Sequence, residues 1–397
     1  MERFETVIIG AGACGLMCAA QAGLLGKKTL LIEGNKKPGA KILISGGGRC
    51  NFTNLFTDIH NFVSENPKFL HGVFNQWAVE DTIRFFEERN IVGHEKTLGQ
   101  LFPTTNKARD VVKVFTDIIE DTGQKLWLET KAEKISKTEE GFEITINREG
   151  NPSAILAQKL VITTGGLPVV KMGASDFALR VARQFGHHII STAPALVPLT
   201  ITGKEQEWYA ALSGNSVFSK VYNDEIAFEE NILFTHWGLS GPAILQISSY
   251  WRPGEQIFID LLPGQNMGEV IQQERDQGGA KTLKQLIKPY YTNRFIEAME
   301  KLFPLDTKIA SLSKKKEKEF VKWLHRFEVK PAGDKGYDKA EVMRGGIDTD
   351  ELHPKTLESK KIEGLYFGGE CVDITGWLGG YNFQWAWAAG YAIAQDL

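Results

Sequence analysis

Residues 5–51 read ETVIIGAGACGLMCAAQAGLLGKKTLLIEGNKKPGAKILISGGGRCN, and this stretch decides the fold. Thr6 to Ile9 is an apolar, β-branched run. The chain then turns through Gly10, Gly12 and Gly15 into an Ala-rich segment with helical character that ends near Gly26. A second apolar run, Thr29 to Ile32, stops at Glu33. Strand, glycine turn, helix, strand and acid, in that order, make a dinucleotide-binding βαβ unit. Gly10 permits the sharp turn, Gly12 lets backbone approach a pyrophosphate, and Gly15 allows helix and strand to pack closely. The diphosphate is expected on the helix N-terminus, beside Ala13 and Cys14, where free N–H groups and the macrodipole favour negative charge. Glu33, with Gly34 after it, is placed to accept from the adenosine ribose hydroxyls. Its charge argues against a ribose 2′-phosphate, an argument that Lys36 and Lys37 soften without reversing.

Glycine continues well beyond that turn. Pro38-Gly39-Ala40-Lys41 is followed by Ser45-Gly46-Gly47-Gly48-Arg49-Cys50-Asn51. An ordinary nicotinamide domain has no need of such a loop, whereas a chain that must run along a ribitol and reach an isoalloxazine ring does. GAKILISGGGRCN, together with GAGACG, resembles the glutathione-reductase-type FAD proteins. Specifically, it resembles the bacterial flavoprotein family that includes an aminoacetone oxidase and a bile-acid 3-oxo-Δ4,6 reductase. The resemblance spans essentially the whole chain. It implies FAD as cofactor and contacts to it from Lys41 and Ser45 to Asn51.

Further motifs follow the same pattern. Lys159 to Thr164 is a buried strand leading to Gly165-Gly166, which resembles the second FAD fingerprint of this superfamily. A strand near Ala132 or Glu133 is implied to bond the adenine. Gly364 to Glu370 (GLYFGGE) is an apolar strand ending in Gly369 and an acid. In related proteins that acid accepts from the ribitol. Gly376 to Gln384 opens the last helix, which would aim the N–H groups of Tyr381, Asn382 and Phe383, beyond Gly380, at the flavin. Phe234 to Pro242 (FTHWGLSGP) also matches the family; His236 there reads either as part of a structural turn or as substrate-facing. Gly173 to Phe177 matches only in part, which leaves Asp176 without a role.

Two segments from opposite ends must therefore touch one cofactor, and what lies between them is insertion. The expected architecture is α/β: a discontinuous, three-layer Rossmann-type FAD domain (1–192 and 340–397). It carries a β-rich insert (193–265 and 326–339) and a helical subdomain (266–325). Lys314 to Glu319 reads as a solvated helix face, because glutamates interleave the lysines.

Composition narrows the function. The 397 residues exceed one ordinary core, and 42% hydrophobic content is that of a globular chain. A net charge of -3 supplies no field for nucleic acid or anionic membrane. No leader and no membrane span are read, so the cytoplasm is the expected location. Cysteines at 14, 18, 50 and 371 form no CxxC pair and no metal-binding spacing. Cys14 and Cys18 read as core; Cys50 and Cys371 read as thiols, with a redox pair as the alternative. The residues expected to do chemistry are Cys50, Asn51, His236 and Asp373, with Arg49 nearby. No second strand–GxGxxG–helix unit is present, so electrons are exchanged either with transiently bound NAD(P)H or with oxygen. The leading reading is an FAD-dependent oxidoreductase on a small carbonyl, enone or amine. An RNA-modifying flavoenzyme and a flavin-binding sensor without turnover are the alternatives, and the near-neutral charge counts against the first of these.

Overall fold

The structure is a computed structural model that describes residues 1–397. The chain divides into two compact units, residues 1–193 with 341–397, and residues 194–340.

In the first unit β1 (Glu2–Ile9) leads into α1 (Ala13–Leu24), β2 (Thr29–Ile32) and α2 (Ala40–Gly48). β1 runs parallel to β2 and to a long strand, β3 (Asn151–Ile162). The sheet order is Lys125–Trp127, β2, β1, β3, Gly141–Arg148 and Thr130–Thr138, which is the expected Rossmann-type α/β arrangement. Val7, Ile8, Leu30 to Ile32 and Leu160 to Ile162 are fully enclosed, as befits parallel strands covered on both faces. β3 changes partner along its length. Its first half pairs antiparallel with Gly141–Arg148, while Leu160–Ile162 pair parallel with β4 (Leu365–Phe367). Sequence reading placed this strand only from Lys159. The half it missed opens with exposed Asn151, Pro152 and Ser153, which carry no apolar periodicity.

The last helix, α3 (Tyr381–Asp396), is buried nearly all round, which explains its run of alanines. It lies against α1 at contact distance. A Cβ on Gly390 would stand 2.4 Å from the Cys14 carbonyl oxygen and 2.9 Å from Met17 Cβ. Polar groups fix its position. Trp387 Nε1 donates to the Phe52 carbonyl (2.8 Å), and Thr53 Oγ1 donates to Gln384 Oε1 (2.7 Å). At its far end Lys27 Nζ donates to the carbonyls of Ala394 and Gln395, a cation on the negative end of the helix.

The second unit holds a seven-stranded antiparallel sheet. Its order is Phe327–Val329, Ile257–Asp260, Ser216–Tyr222, Ala227–Thr235, Gly238–Ser240, Leu199–Thr200 and Gly333–Asp334. Helices between Met267 and His325 carry side-chain caps from Asn266, Thr282, Thr292 and Ser313. Lys314, Lys315, Lys316, Lys318 and Glu319 are exposed, and Glu317 turns inward to Arg275 (2.6 Å), so the lysine run is a solvated face. Two short helices, Gln206–Ala211 and Pro242–Ser248, stand where sequence reading placed strands. A brief apolar run such as AILQI fits a buried strand and a buried helix equally well.

Asp373, only 3% exposed, accepts from the backbone N–H of Glu65 (2.9 Å) and from Ser64 Oγ (3.5 Å). Burial pushes its carboxyl up from the ordinary 3.8 to about 6, and Glu65 and Asp348 push in the same direction. The folded state therefore holds this proton more tightly than the unfolded chain. Stability from this group is full below about pH 4 and is lost as pH rises through 6.

Two measurements follow from these contacts. Gly390→Ala forces α3 away from α1 and is expected to cost about 1–3 kcal/mol in urea unfolding. Asp373→Asn keeps the acceptor without the charge. It is expected to raise Tm at pH 7.5, by the equivalent of about 1–3 kcal/mol. It should also flatten the pH dependence between 4 and 7; an unchanged profile would remove Asp373 as the titrating group.

Candidate functional site

The site is built on the turn between β1 and α1. Gly10 N–H donates to the Ile32 carbonyl (2.8 Å), tying the turn to β2. Thr163 Oγ1, buried at the end of β3, lies 3.0 Å from the Ile9 carbonyl and 2.9 Å from that of Gly10. A Cβ on Gly15 would fall 1.9 Å from the Gly10 oxygen, so any larger residue there would open the turn. Gly12 is different. A Cβ on it would meet nothing nearer than the Thr163 oxygen at 3.9 Å, so backbone and free space face each other at the start of α1. No side chain caps that helix. The Cys14 side chain is buried and its thiol pushed well up by burial, so Cys14 and partly exposed Ala13 offer the site their backbone.

Glu33 braces this turn. One carboxylate oxygen accepts from Ala11 N–H (2.9 Å), and the other accepts from the N–H and the amide of Asn35 (both 2.9 Å). Asn35 also donates to the Met172 carbonyl, and Lys131 lies over Gly34. The strand Thr130–Thr138 has a bulge between Ala132 and Lys134 that leaves Glu133 out of the ladder. Its backbone is thus available at the edge where the resemblance places the adenine.

Segments from both ends of the chain meet at Glu370. Lys41 Nζ donates to Glu370 Oε2 (2.6 Å), and Met343 N–H donates to Oε1 (3.1 Å). Gly165 and Gly166 lie against the same carboxylate, and a Cβ on Gly166 would stand 3.3 Å from it. Gly369 is pressed onto Cys14 Cβ. Thr164 Oγ1, next to this cluster, is buried with no hydrogen-bond partner.

The Ser45–Asn51 loop departs from the helix at Ser45 and runs through left-handed Gly46, Gly47, Gly48 and Cys50. The Ser45 carbonyl accepts from both Arg49 N–H and Cys50 N–H (3.1 Å each), and Arg49 Nε donates to the Gly46 carbonyl. Cys50 is fully buried and its thiol is pushed up to about 12, so it keeps its proton at neutral pH. Cys371 is likewise buried and protonated, held at the Gly368 carbonyl. Asn51 Oδ1 is a second buried oxygen without a partner, and a Cβ on Gly380 would lie 3.0 Å from it. At the start of α3 the Asn382 side chain brackets Gly376, accepting from its N–H and donating to its carbonyl (2.8 Å each). Phe383 N–H is spent on the Gly380 carbonyl (3.1 Å), because the first turn closes tightly. It is therefore not the free donor that sequence reading assigned.

Shared contacts thus link the glycine turn with Glu33, Lys41, Thr164 to Gly166, Glu370, the Ser45–Asn51 loop and the start of α3, the set that would form a groove for FAD. Open backbone at Gly12 and orphaned oxygens at Thr164 and Asn51 are what an extended dinucleotide with polar ribitol and ring edges requires. The residues present fit FAD. Of the residues expected to do chemistry, Asn51 and Cys50 belong to this groove's loop. Asp373 is committed to the Ser64–Glu65 segment. His236 lies in the second unit, exposed and 4.1 Å from the Trp237 ring centroid. Sequence reading missed Thr163 and Met343, which act through tertiary contact and carry no local signal, and Asn35, which serves Glu33 from two residues away.

A relative described as a ribosomal RNA dihydrouridine synthase from Escherichia coli (strain K12) is 42% identical over 399 residues, covering 100% of this chain and 98% of that protein. A 3-dehydro-bile acid delta(4,6)-reductase from Clostridium scindens is 26% identical over 97% of this chain and 96% of its own. Among solved structures, the 3-ketosteroid delta1-dehydrogenase from Sterolibacterium denitrificans superposes with a TM-score of 0.51, covering 100% of both chains at 13% identity, a likeness of fold. No helix is long and apolar enough to cross a membrane. The family described as "HI0933-like protein Rossmann domain" matches residues 4–396, and the chain belongs to this family of FAD-binding oxidoreductases.

Proposed function

We propose that this protein is an FAD-dependent reductase of the uridine C5–C6 double bond in ribosomal RNA. The observation that carries the reading is the 42% identity, end to end, with a protein named for that activity. The bile-acid reductase relative extends it chemically. In uracil the C5–C6 double bond is conjugated to the C4 carbonyl, so uridine and an unsaturated 3-oxo steroid present the same enone unit. The leading sequence reading covered a small carbonyl, enone or amine; its enone branch and the RNA alternative thus differ in the body that carries the enone rather than in the bond reduced. Low net charge weighed against RNA, but net charge averages over a surface and does not exclude a local basic edge.

FAD, when bound, supplies the hydride chemistry. The chain's part is to bind, orient and exclude water. Gly10 to Gly15 with Ala13 and Cys14 would receive the diphosphate. Glu33 and Gly34 would take the adenosine ribose, and Ala132 or Glu133 the adenine. Lys41, Thr164 to Gly166, Gly369 and Glu370 would hold the ribitol. Ser45 to Asn51 and Gly380 to Asn382 would frame the ring. Cys50 Sγ, protonated at neutral pH, is assigned as a store for the proton that C5 must gain, and Asn51 as the amide that orients the substrate carbonyl. Reducing equivalents are assigned to NADH or NADPH visiting the same face.

The tests separate these assignments. Ribosomal RNA from cells lacking the gene should lose a dihydrouridine that the purified protein and NADPH restore, seen as a gain of two hydrogens by mass spectrometry; unchanged RNA overturns the substrate. Glu370→Ala removes a charged acceptor and should weaken FAD binding about 10- to 100-fold. Gly12→Val has room in the folded chain, so it should lose flavin while keeping the circular dichroism of the parent. Full flavin in both variants refutes the placement.

A further inference from the structure

Beside the groove two short loops expose apolar side chains that no packing need explains. Phe56 is 64% exposed and Leu98 56%. Asn54 locks the loops together. Its amide donates to the Leu98 carbonyl (3.0 Å), its oxygen accepts from Phe56 N–H (2.9 Å), and Leu55 N–H donates to the Gly99 carbonyl. The Phe56 ring lies against Gly99, where a Cβ would approach it to 2.7 Å. Leu98 is held at φ 51°, a left-handed conformation that a branched side chain adopts at a cost. The loops are also bolted to the groove, because Asn54 Nδ2 donates to the Gly379 carbonyl (2.9 Å) at the turn that begins α3.

Two cations lie over Phe102, in the strand that follows Leu98 and Gly99. The Arg49 guanidinium and the Lys96 ammonium stand 5.3 and 5.8 Å from the centroid of buried Phe102. Neither pairs with a carboxylate; the neighbouring Glu95 is engaged by Gly99 N–H (3.0 Å). An exposed aromatic ring held rigidly, an apolar partner and unneutralised cations a few residues away form the combination that binds single-stranded nucleic acid. Bases stack on the ring, and phosphates meet the cations.

We infer that Phe56 and Leu98 form a stacking ledge for a single-stranded RNA segment adjoining the nucleotide to be reduced, with Arg49 and Lys96 receiving its phosphates. The inference rests on the RNA reading above and specifies where that RNA enters. It assigns the local basic edge that the overall charge conceals.

Fluorescence anisotropy of the flavin-loaded protein with a labelled single-stranded oligouridylate tests it without turnover. Phe56→Ala is expected to weaken binding about 5- to 100-fold and Phe56→Trp to restore it. Lys96→Ala should reduce the slope of log K against log salt by about 0.7. Flavin content and Tm serve as folding controls. If Phe56→Ala and Leu98→Ala bind the oligonucleotide as tightly as the parent, the ledge is refuted, even where the parent still forms dihydrouridine. A concentration-dependent dimer that Phe56→Ala dissolves would refute it in favour of self-association. Conversely, Phe56-dependent binding beside unmodified ribosomal RNA would uphold the ledge and overturn the assigned substrate.

Discussion

The contact between α1 and α3 is the constraint on which the rest of the first unit depends. Two helices can lie this close only if side chains are absent at the crossing, and Gly390 against Cys14 and Met17 meets that condition. The approach brings Gly369 onto Cys14 at the glycine turn and sets Gly380 beside Asn51 and Thr53. Burial of the surrounding alanines and tryptophans supplies the driving force, while Trp385, Trp387, Gln384 and Lys27 fix the register through directional bonds. A groove made from both ends of a chain is rigid only when such a contact closes it.

Two carboxylates belong to that site, and each is held by the protein's own groups. Glu33 is fixed by Ala11 and Asn35, and Glu370 by Lys41 and Met343. A carboxylate oxygen accepts more than one hydrogen bond, so both retain capacity for hydroxyl donors. Their orientation is therefore settled by the protein, which lowers the ordering cost of binding. The lysine at Glu370 also offsets a negative charge where a diphosphate-bearing ligand would otherwise meet repulsion.

Much of this was legible in the residues alone, for a physical reason. The βαβ turn, both acids and the glycine loop act locally, and their chemistry demands particular residue types at short spacing. What escaped was tertiary. Thr163 braces the turn from another strand, Met343 contributes only an N–H, and Asn54 joins two loops to the start of α3. Nor can sequence reveal that Phe383 N–H is consumed by a tight first helical turn. The half of β3 that opens with polar, exposed residues and the helix at Pro242–Ser248 were missed because periodicity fails in short or polar segments.

The discontinuity of the first unit bears on how the protein is made. Synthesis delivers β1, α1 and β2 first, then residues 194–340, which form a unit of their own, and only afterwards β4 and α3. Domains fold as units while the chain emerges, so the intervening unit can mature on the ribosome while the glycine turn still lacks its closing helix. Closure of the glycine turn is thereby deferred until α3 emerges, and the nascent chain must keep the apolar face of α1 covered by other means in the interval.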